Sequence, residues 1–179
     1  METENVLLVT VDDIEIGLME KMEAHEKAIL HRAFSVFIFN DKNEFLLQQR
    51  ALTKYHSPGL WTNTCCSHPR SGETTLLAAK RRLTEEMGME CELNEIFSFI
   101  YKADVGQGLT EHEFDHVFVG ISNGEPKINP GEVNSWKFMN LTDLKLDMSL
   151  NPNSYTIWFR IAFEQVEAYI LANNTIDLS

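Results

Sequence analysis

The chain of 179 residues, 44% hydrophobic and 23% charged, is the size of one domain and long enough to bury a core without disulfides. Its formal net charge of -12 at pH 7 argues against nonspecific nucleic-acid binding, and no run approaches the ~18 apolar residues of a membrane span. Three cysteines, two of them adjacent, suit a reducing compartment, and the opening METENVLLVTVDD has neither a basic leader nor a small-residue cleavage site, so a cytoplasmic location is expected.

Val6 to Val11 alternates loosely and reads as a first strand. His31 to Asn40 (HRAFSVFIFN) is rich in aromatic and β-branched residues, Asp41, Lys42 and Asn43 are turn formers, and Glu44 to Arg50 (EFLLQQR) resumes an apolar run. Together they predict a β-hairpin over 31 to 50. Ala51 to Leu60 reads as loop, broken by Pro58 and Gly59. From Glu73 to Met87 the residues Leu76, Leu77, Ala79, Leu83 and Met87 recur at helical spacing with charged residues opposite, and Gly88 suits the C-cap. Ile96 to Tyr101 and Phe114 to Ile121 predict two further strands joined by a polar, Gly-containing loop at Asp104 to Leu109, and Val133 to Met139 predicts a last strand. A short helix is expected near Thr142 to Met148 and a longer one from about Ser154 to Ala172, where Tyr155, Trp158, Phe159, Ala162, Val166 and Tyr169 share a face. This order predicts an α+β fold, a single compact domain over residues 1–179 with a mixed β-sheet flanked by helices.

The stretch TNTCCSHP at Thr62 to Pro69 sets Cys66 two residues before His68. That is either half a metal site or the nucleophile or acid of an active site. His25, His31 and His68 fall near strand starts or loops, and Glu111 and Glu113 lie two apart in a predicted strand start, where i and i+2 project to one face. Imidazole nitrogen with carboxylate oxygen suits a divalent ion such as Mn²⁺ or Zn²⁺. A histidine taken singly is more simply a residue with one hydrogen bond, and His56, His112 and His116 are read that way. The last two point to the strand face opposite Glu111 and Glu113. Glu85 and Glu86 beside Arg81 and Arg82 read, by themselves, as solvated ion pairs.

The spacing from Ser67 to Met89 is similar to the Nudix box, a loop-helix-loop that holds Mg²⁺ against a diphosphate. Glu73, Arg81, Leu83, Glu85, Glu86, Gly88 and Met89 fall on its key positions, while Ser67 replaces its opening glycine and Arg82 the glutamate of its Arg-Glu pair. The second departure counts against hydrolysis. The same departure fits one branch of the superfamily. The segments LHRAFSVFIFN, LLQQRALTK, WTNTCCSHP, RRLTEEMG and YKADVGQGLTEHE, with Trp158 in the last long helix, resemble the type I isopentenyl-diphosphate delta-isomerases from about Val6 to Ala172.

That resemblance implies a Nudix-like fold with a box-like segment at 67–89 and a reversible 1,3-allylic rearrangement of isopentenyl diphosphate to dimethylallyl diphosphate. The alkene is protonated and the allylic carbon deprotonated through a tertiary carbocation. It implies Cys66 and Glu113 as the acid and base on opposite faces of the substrate, Tyr101 as the residue assisting the carboxylate, and Trp158 as the cation-stabilising ring. It further implies His25, His31, His68, Glu111 and Glu113 as ligands of a second divalent metal, Mn²⁺ or Zn²⁺. Glu86 would be the ligand of a Mg²⁺ bridging the diphosphate, with Lys21, Arg50, Lys54 and Arg82 around that diphosphate. Cys65 is then a small apolar filler and Cys91 structural. The expected partner is this small diphosphate, with no nucleic acid or membrane, bound to a monomer. A Nudix hydrolase and a nonenzymatic metal-binding module are the competing expectations.

Overall fold

The computed structural model describes residues 4–173. Asn5–Val9 (β1) and Glu15–Glu20 (β2) pair as an antiparallel hairpin, and Lys21–Glu26 (α1) follows directly, its N-terminus capped by the Glu20 side chain accepting from Glu23 N at 2.9 Å. His31–Phe39 (β3) and Phe45–Arg50 (β4) form the expected hairpin, but with a difference. They pair only at Ile38–Leu46 and Phe39–Phe45 and then splay. Trp61–Thr62 (β5) pairs β4, and Cys65–Ser67 (β6) pairs β3, so the turn between them fills the splay.

Thr75–Met87 (α2) begins at the cap Thr74, whose hydroxyl accepts from Leu77 N at 3.3 Å, and ends at Gly88 with φ 61. A side chain at Gly88 would meet the Lys127 carbonyl oxygen at 2.5 Å, so both conformation and close approach demand glycine there.

Asn94–Gly106 (β7) and Leu109–Ile121 (β8) form one long antiparallel hairpin. Sequence reading places a loop at Asp104 to Leu109 and starts the second strand at Phe114; instead the chain turns tightly at Gln107 and Gly108, both at positive φ. The polar members of the alternation, such as Lys102, Asp104 and His112, imitate a loop because one face of this hairpin meets solvent.

Val133–Met139 (β9) pairs β4, Leu141–Leu150 (α3) follows, and Ile157–Asn173 (α4) starts three residues later than expected, after a short 3₁₀ turn at Pro152–Ser154. The nine strands make one sheet, mixed because β3 runs parallel to β8 from His31↔Glu113 to Phe39↔Ile121. Two apolar layers cover it. On one face Phe37, Phe39, Val117 and Val119 pack with Trp158, Phe159, Ala162 and Val166 of α4; on the other Phe34, Val36, Ile38 and Phe118 pack with Ala78, Ala79, Leu83 and Met87 of α2. The fold is therefore the expected single compact α+β domain, a mixed sheet flanked by helices.

Candidate active site

Strand alternation sets the carboxylates. Glu111, Glu113 and Asp115 are buried on one face of β8, while His112 and His116 lie on the other, bonded to the Ala28 carbonyl and to Glu95 and Asp13. Tyr101, opposite Glu113 in the β7–β8 register, reaches Glu113 Oε2 at 2.6 Å and Glu111 Oε2 at 2.9 Å. One phenolic proton cannot serve both oxygens. Burial and the neighbouring Glu113 charge push Glu111 well up, whereas for Glu113 burial is outweighed by His31 and His68, which hold it well below the usual range.

The histidines arrive from three elements. His25 on α1 donates from Nδ1 to the Lys21 carbonyl at 2.7 Å, and His31 at the start of β3 donates from Nδ1 to the Ile29 carbonyl at 2.8 Å. Those donations fix the proton on Nδ1 and leave each Nε2 with a free lone pair, the form that binds metal. His68, just past β6, sets Nε2 3.0 Å from Glu113 Oε1. Burial pushes His25 down and His68 down to about 4, so both rings are neutral near pH 7. One ligand atom from each of His25, His31, His68 and Glu113 lies within 4.8 Å of the others. The buried His31 Nε2 has no hydrogen-bond partner, an orphan that a cation would satisfy. The donor set fits a divalent ion. Glu111 falls in an overlapping group with His25 and His56.

The motif TNTCCSHP divides into a buried plug and a pocket-facing end. Thr64 Oγ1 accepts from Ile38 N at 2.9 Å and donates to the Leu46 carbonyl at 2.7 Å, and Asn63 Nδ2 reaches the Val36 carbonyl at 3.2 Å. Thr62 is tied to Thr156 ahead of α4. These buried side chains replace the ladder bonds lost where β3 and β4 splay. Cys65 and Cys66, adjacent in a strand, then point to opposite faces: Cys65 is sealed in the α2 layer, and Cys66 packs against the α4 layer and lines the pocket. Burial pushes the Cys66 thiol up, so its Sγ keeps its proton at neutral pH.

A ring of cations and carboxylates forms the rest of the pocket. Arg82 bonds Glu86 at 2.6 Å and Glu85 at 2.9 Å, Lys54 pairs with Glu132, Lys21 pairs with Glu4 at 3.0 Å, and Arg50 lies over the Trp158 ring at 5.1 Å. A single pocket gathers Lys21, Arg50, Lys54 and Arg82 with Glu86, Cys66, Glu111 and Glu113, and with Tyr101, Trp158, His25 and His68. His31 sits behind it, fully buried.

Four lining or supporting residues escape the sequence reading. Gln48 donates to Glu86 Oε2 at 3.0 Å and to the Thr64 carbonyl at 2.9 Å, which clamps the α2 carboxylate to the sheet. Glu132 neutralises Lys54 and Arg82. Asp115 accepts from Ser35 at 2.8 Å, and His56, read as an ordinary histidine, lines the pocket. Strand alternation does carry a signal for two of them, since Gln48 is i−2 from Arg50 and Asp115 is i+2 from Glu113. The loop residue His56 has no such signal.

The NUDIX domain family matches residues 29–159. The isopentenyl-diphosphate Delta-isomerase of Serratia proteamaculans is 51% identical over 156 residues, 87% of this chain and 87% of that protein. Isopentenyl-diphosphate Delta-isomerase 2 of Aromatoleum aromaticum is 48% identical over 163 residues, 91% of this chain and 86% of that protein. Among solved structures, a MutT protein from Methanosarcina mazei superposes with a TM-score of 0.64 at 18% identity, covering 78% of this chain and 94% of that one, a likeness of fold alone.

Proposed function

The chain belongs to the isopentenyl-diphosphate Delta-isomerase family within the NUDIX fold, and from that premise we propose how its pocket carries out the isomerisation. The enzyme is an isomerase that moves a carbon–carbon double bond between isopentenyl and dimethylallyl diphosphate. Our reading is that Cys66 Sγ and a Glu113 carboxylate oxygen exchange protons with opposite faces of the bound alkene. In support, the Cys66 strand β6 and the Glu113 strand β8 flank β3 on its two edges, at Ser35↔Cys66 and His31↔Glu113. An acid and a base approaching from two sides is what an allylic shift needs.

Tyr101 orients Glu113 through its 2.6 Å hydrogen bond, and the Trp158 ring offers its face to the passing carbocation. That ring already receives a cation, the Arg50 guanidinium at 5.1 Å. The buried walls of Trp158 and Tyr101 keep water from the cation. Lys21, Arg50, Lys54 and Arg82 would hold the diphosphate, with Lys21, Lys54 and Arg82 exchanging their present carboxylate partners for phosphate oxygens. Glu86 would hold a Mg²⁺ on that diphosphate. His25, His31, His68, Glu111 and Glu113 would hold a second ion, Mn²⁺ or Zn²⁺. Bound there, such an ion supplies fixed positive charge that sets the protonation of the neighbouring carboxylates and phenol.

We read the chain as one domain over 1–179 with 67–89 as its diphosphate-facing segment, acting as a cytoplasmic monomer; among the described residues no helix is long and apolar enough to cross a membrane. The observation carrying the proposal is that every assigned residue except the buried His31 lines one pocket. Cys66→Ala and Glu113→Gln should each lower isomerase turnover by at least about a thousandfold while the substrate still binds. Turnover retained in both variants would remove them from the proton transfers.

A further inference from the structure

His56 lies in the loop between β4 and β5, yet only 4% of it is exposed, and among the described residues its ring hydrogen-bonds to no charged side chain. Its ring is packed edge-on against Trp158 at 5.7 Å and against Tyr55 at 4.5 Å, while its backbone carbonyl accepts from Arg50 at 3.2 Å. Nδ1 faces the Ser57 hydroxyl at 3.4 Å, and Nε2 points into the pocket, 3.6 Å from Glu111 Oε1. That separation is too long for a good hydrogen bond and close to the spacing of two donors on one cation. His25, whose ring centroid is 6.1 Å away, completes the arrangement: one ligand atom from each of His25, His56 and Glu111 lies within 4.8 Å of the others, and all three side chains are buried. This triad shares His25 with the four-ligand group His25, His31, His68 and Glu113 but is otherwise separate from it.

We propose that His56 is a ligand of the metal centre, and that with His25 and Glu111 it offers the divalent ion a second position, displaced from the His31 and His68 side toward Trp158. Two neutral imidazoles and a carboxylate are a donor set that a Zn²⁺ or Mn²⁺ ion accepts with further positions open. The shared His25 makes the two positions alternatives for one ion rather than two simultaneous sites. The carboxylate geometry agrees, because Tyr101 bridges Glu111 and Glu113 through their Oε2 atoms, and their Oε1 atoms face His56 on one side and His68 on the other. The proposal rests on the metal reading of the His and Glu cluster given above.

The test uses the metal-free full chain titrated with Co²⁺, followed by its visible ligand-field spectrum and by competition with a chromophoric chelator, for native protein, His56→Gln and His68→Ala. Thermal unfolding of each metal-free variant checks that it folds. The expected result is that native protein takes up Co²⁺, that His68→Ala binds it weakly, and that His56→Gln moves the ligand-field bands and weakens binding by about tenfold or more. Unmoved bands in a folded His56→Gln protein overturn the assignment, whatever its affinity. If native protein takes up no Co²⁺, the metal reading fails and His56 with it. If His68→Ala loses Co²⁺ while His56→Gln keeps the native spectrum, the His56 assignment fails alone.

Discussion

Gln48 is the residue on which the position of Glu86 turns. Its amide holds one carboxylate oxygen while Arg82 holds the other, so the α2 carboxylate is held in one orientation, as the proposed Mg²⁺ role requires. Removing the amide leaves a buried oxygen unsatisfied and lets the carboxylate swing. Gln48→Leu should therefore raise the Mg²⁺ concentration for half-maximal activity by about tenfold with a smaller change in maximal rate. An unchanged Mg²⁺ titration would show that Gln48 does not position Glu86. At this scale the sequence was informative wherever a residue's neighbours share its task. Cys66 and His68 stand two apart in one motif, as do Glu111 and Glu113 in one strand. Glu132 was illegible because its partner Arg82 comes from a distant helix, and Gln48, though i−2 from Arg50, gave no sign of its partner Glu86 on that helix.

At the scale of elements, α2 carries the clearest sequence signature, and two contacts fix its ends. Glu73, just before the helix, takes a two-pronged ion pair from Arg81 at 2.8 Å on each oxygen. The Arg81 hydrogen bonds hold the Glu73 carboxyl below its ordinary value. A depressed folded value means that the stabilisation is present above the unfolded pKa of ~4.3 and is lost as pH falls through the lower folded value. Glu73→Gln should cost about 1 kcal/mol at pH 7, and chemical denaturation repeated at falling pH should show the gap closing below that range. A gap independent of pH would contradict the ion-pair origin. At the other end Gly88→Ala, strained at φ 61 and pressed on the Lys127 carbonyl, should cost about 2 kcal/mol in the same assay. No loss would mean that the 127 segment gives way freely. Periodicity revealed this helix because one face is apolar and the other charged. It shortened the β7–β8 hairpin because solvent on one face makes half of each strand polar. The short strands β5 and β6 carried no periodicity at all, since their order comes from side-chain bonds of Thr62, Asn63 and Thr64 to splayed neighbours.

At the scale of the whole molecule, the sheet separates the helix that presents Glu86 and Arg82 from the helix that presents Trp158. Between them the parallel pairing of β3 with β8 brings His31 beside Glu113 across nearly half the chain. The α+β class and the flanking helices were readable from element order, but that parallel pairing was not, because a long-range register leaves no local pattern. The same limit concealed the partnership of His56 with Glu111. The net charge of the chain is negative, yet Lys21, Arg50, Lys54 and Arg82 meet at one pocket, where Glu4, Glu132 and Glu86 pair with Lys21, Lys54 and Arg82; on the proposed reading a diphosphate takes the place of those carboxylates. The central claim is proton exchange at carbon rather than cleavage at phosphorus. Its most direct test is incubation of the purified protein with isopentenyl diphosphate, Mg²⁺ and Mn²⁺ in deuterium oxide, with the products followed by proton NMR. The result expected is dimethylallyl diphosphate carrying solvent deuterium and no released phosphate; phosphate release without the allylic isomer would contradict it.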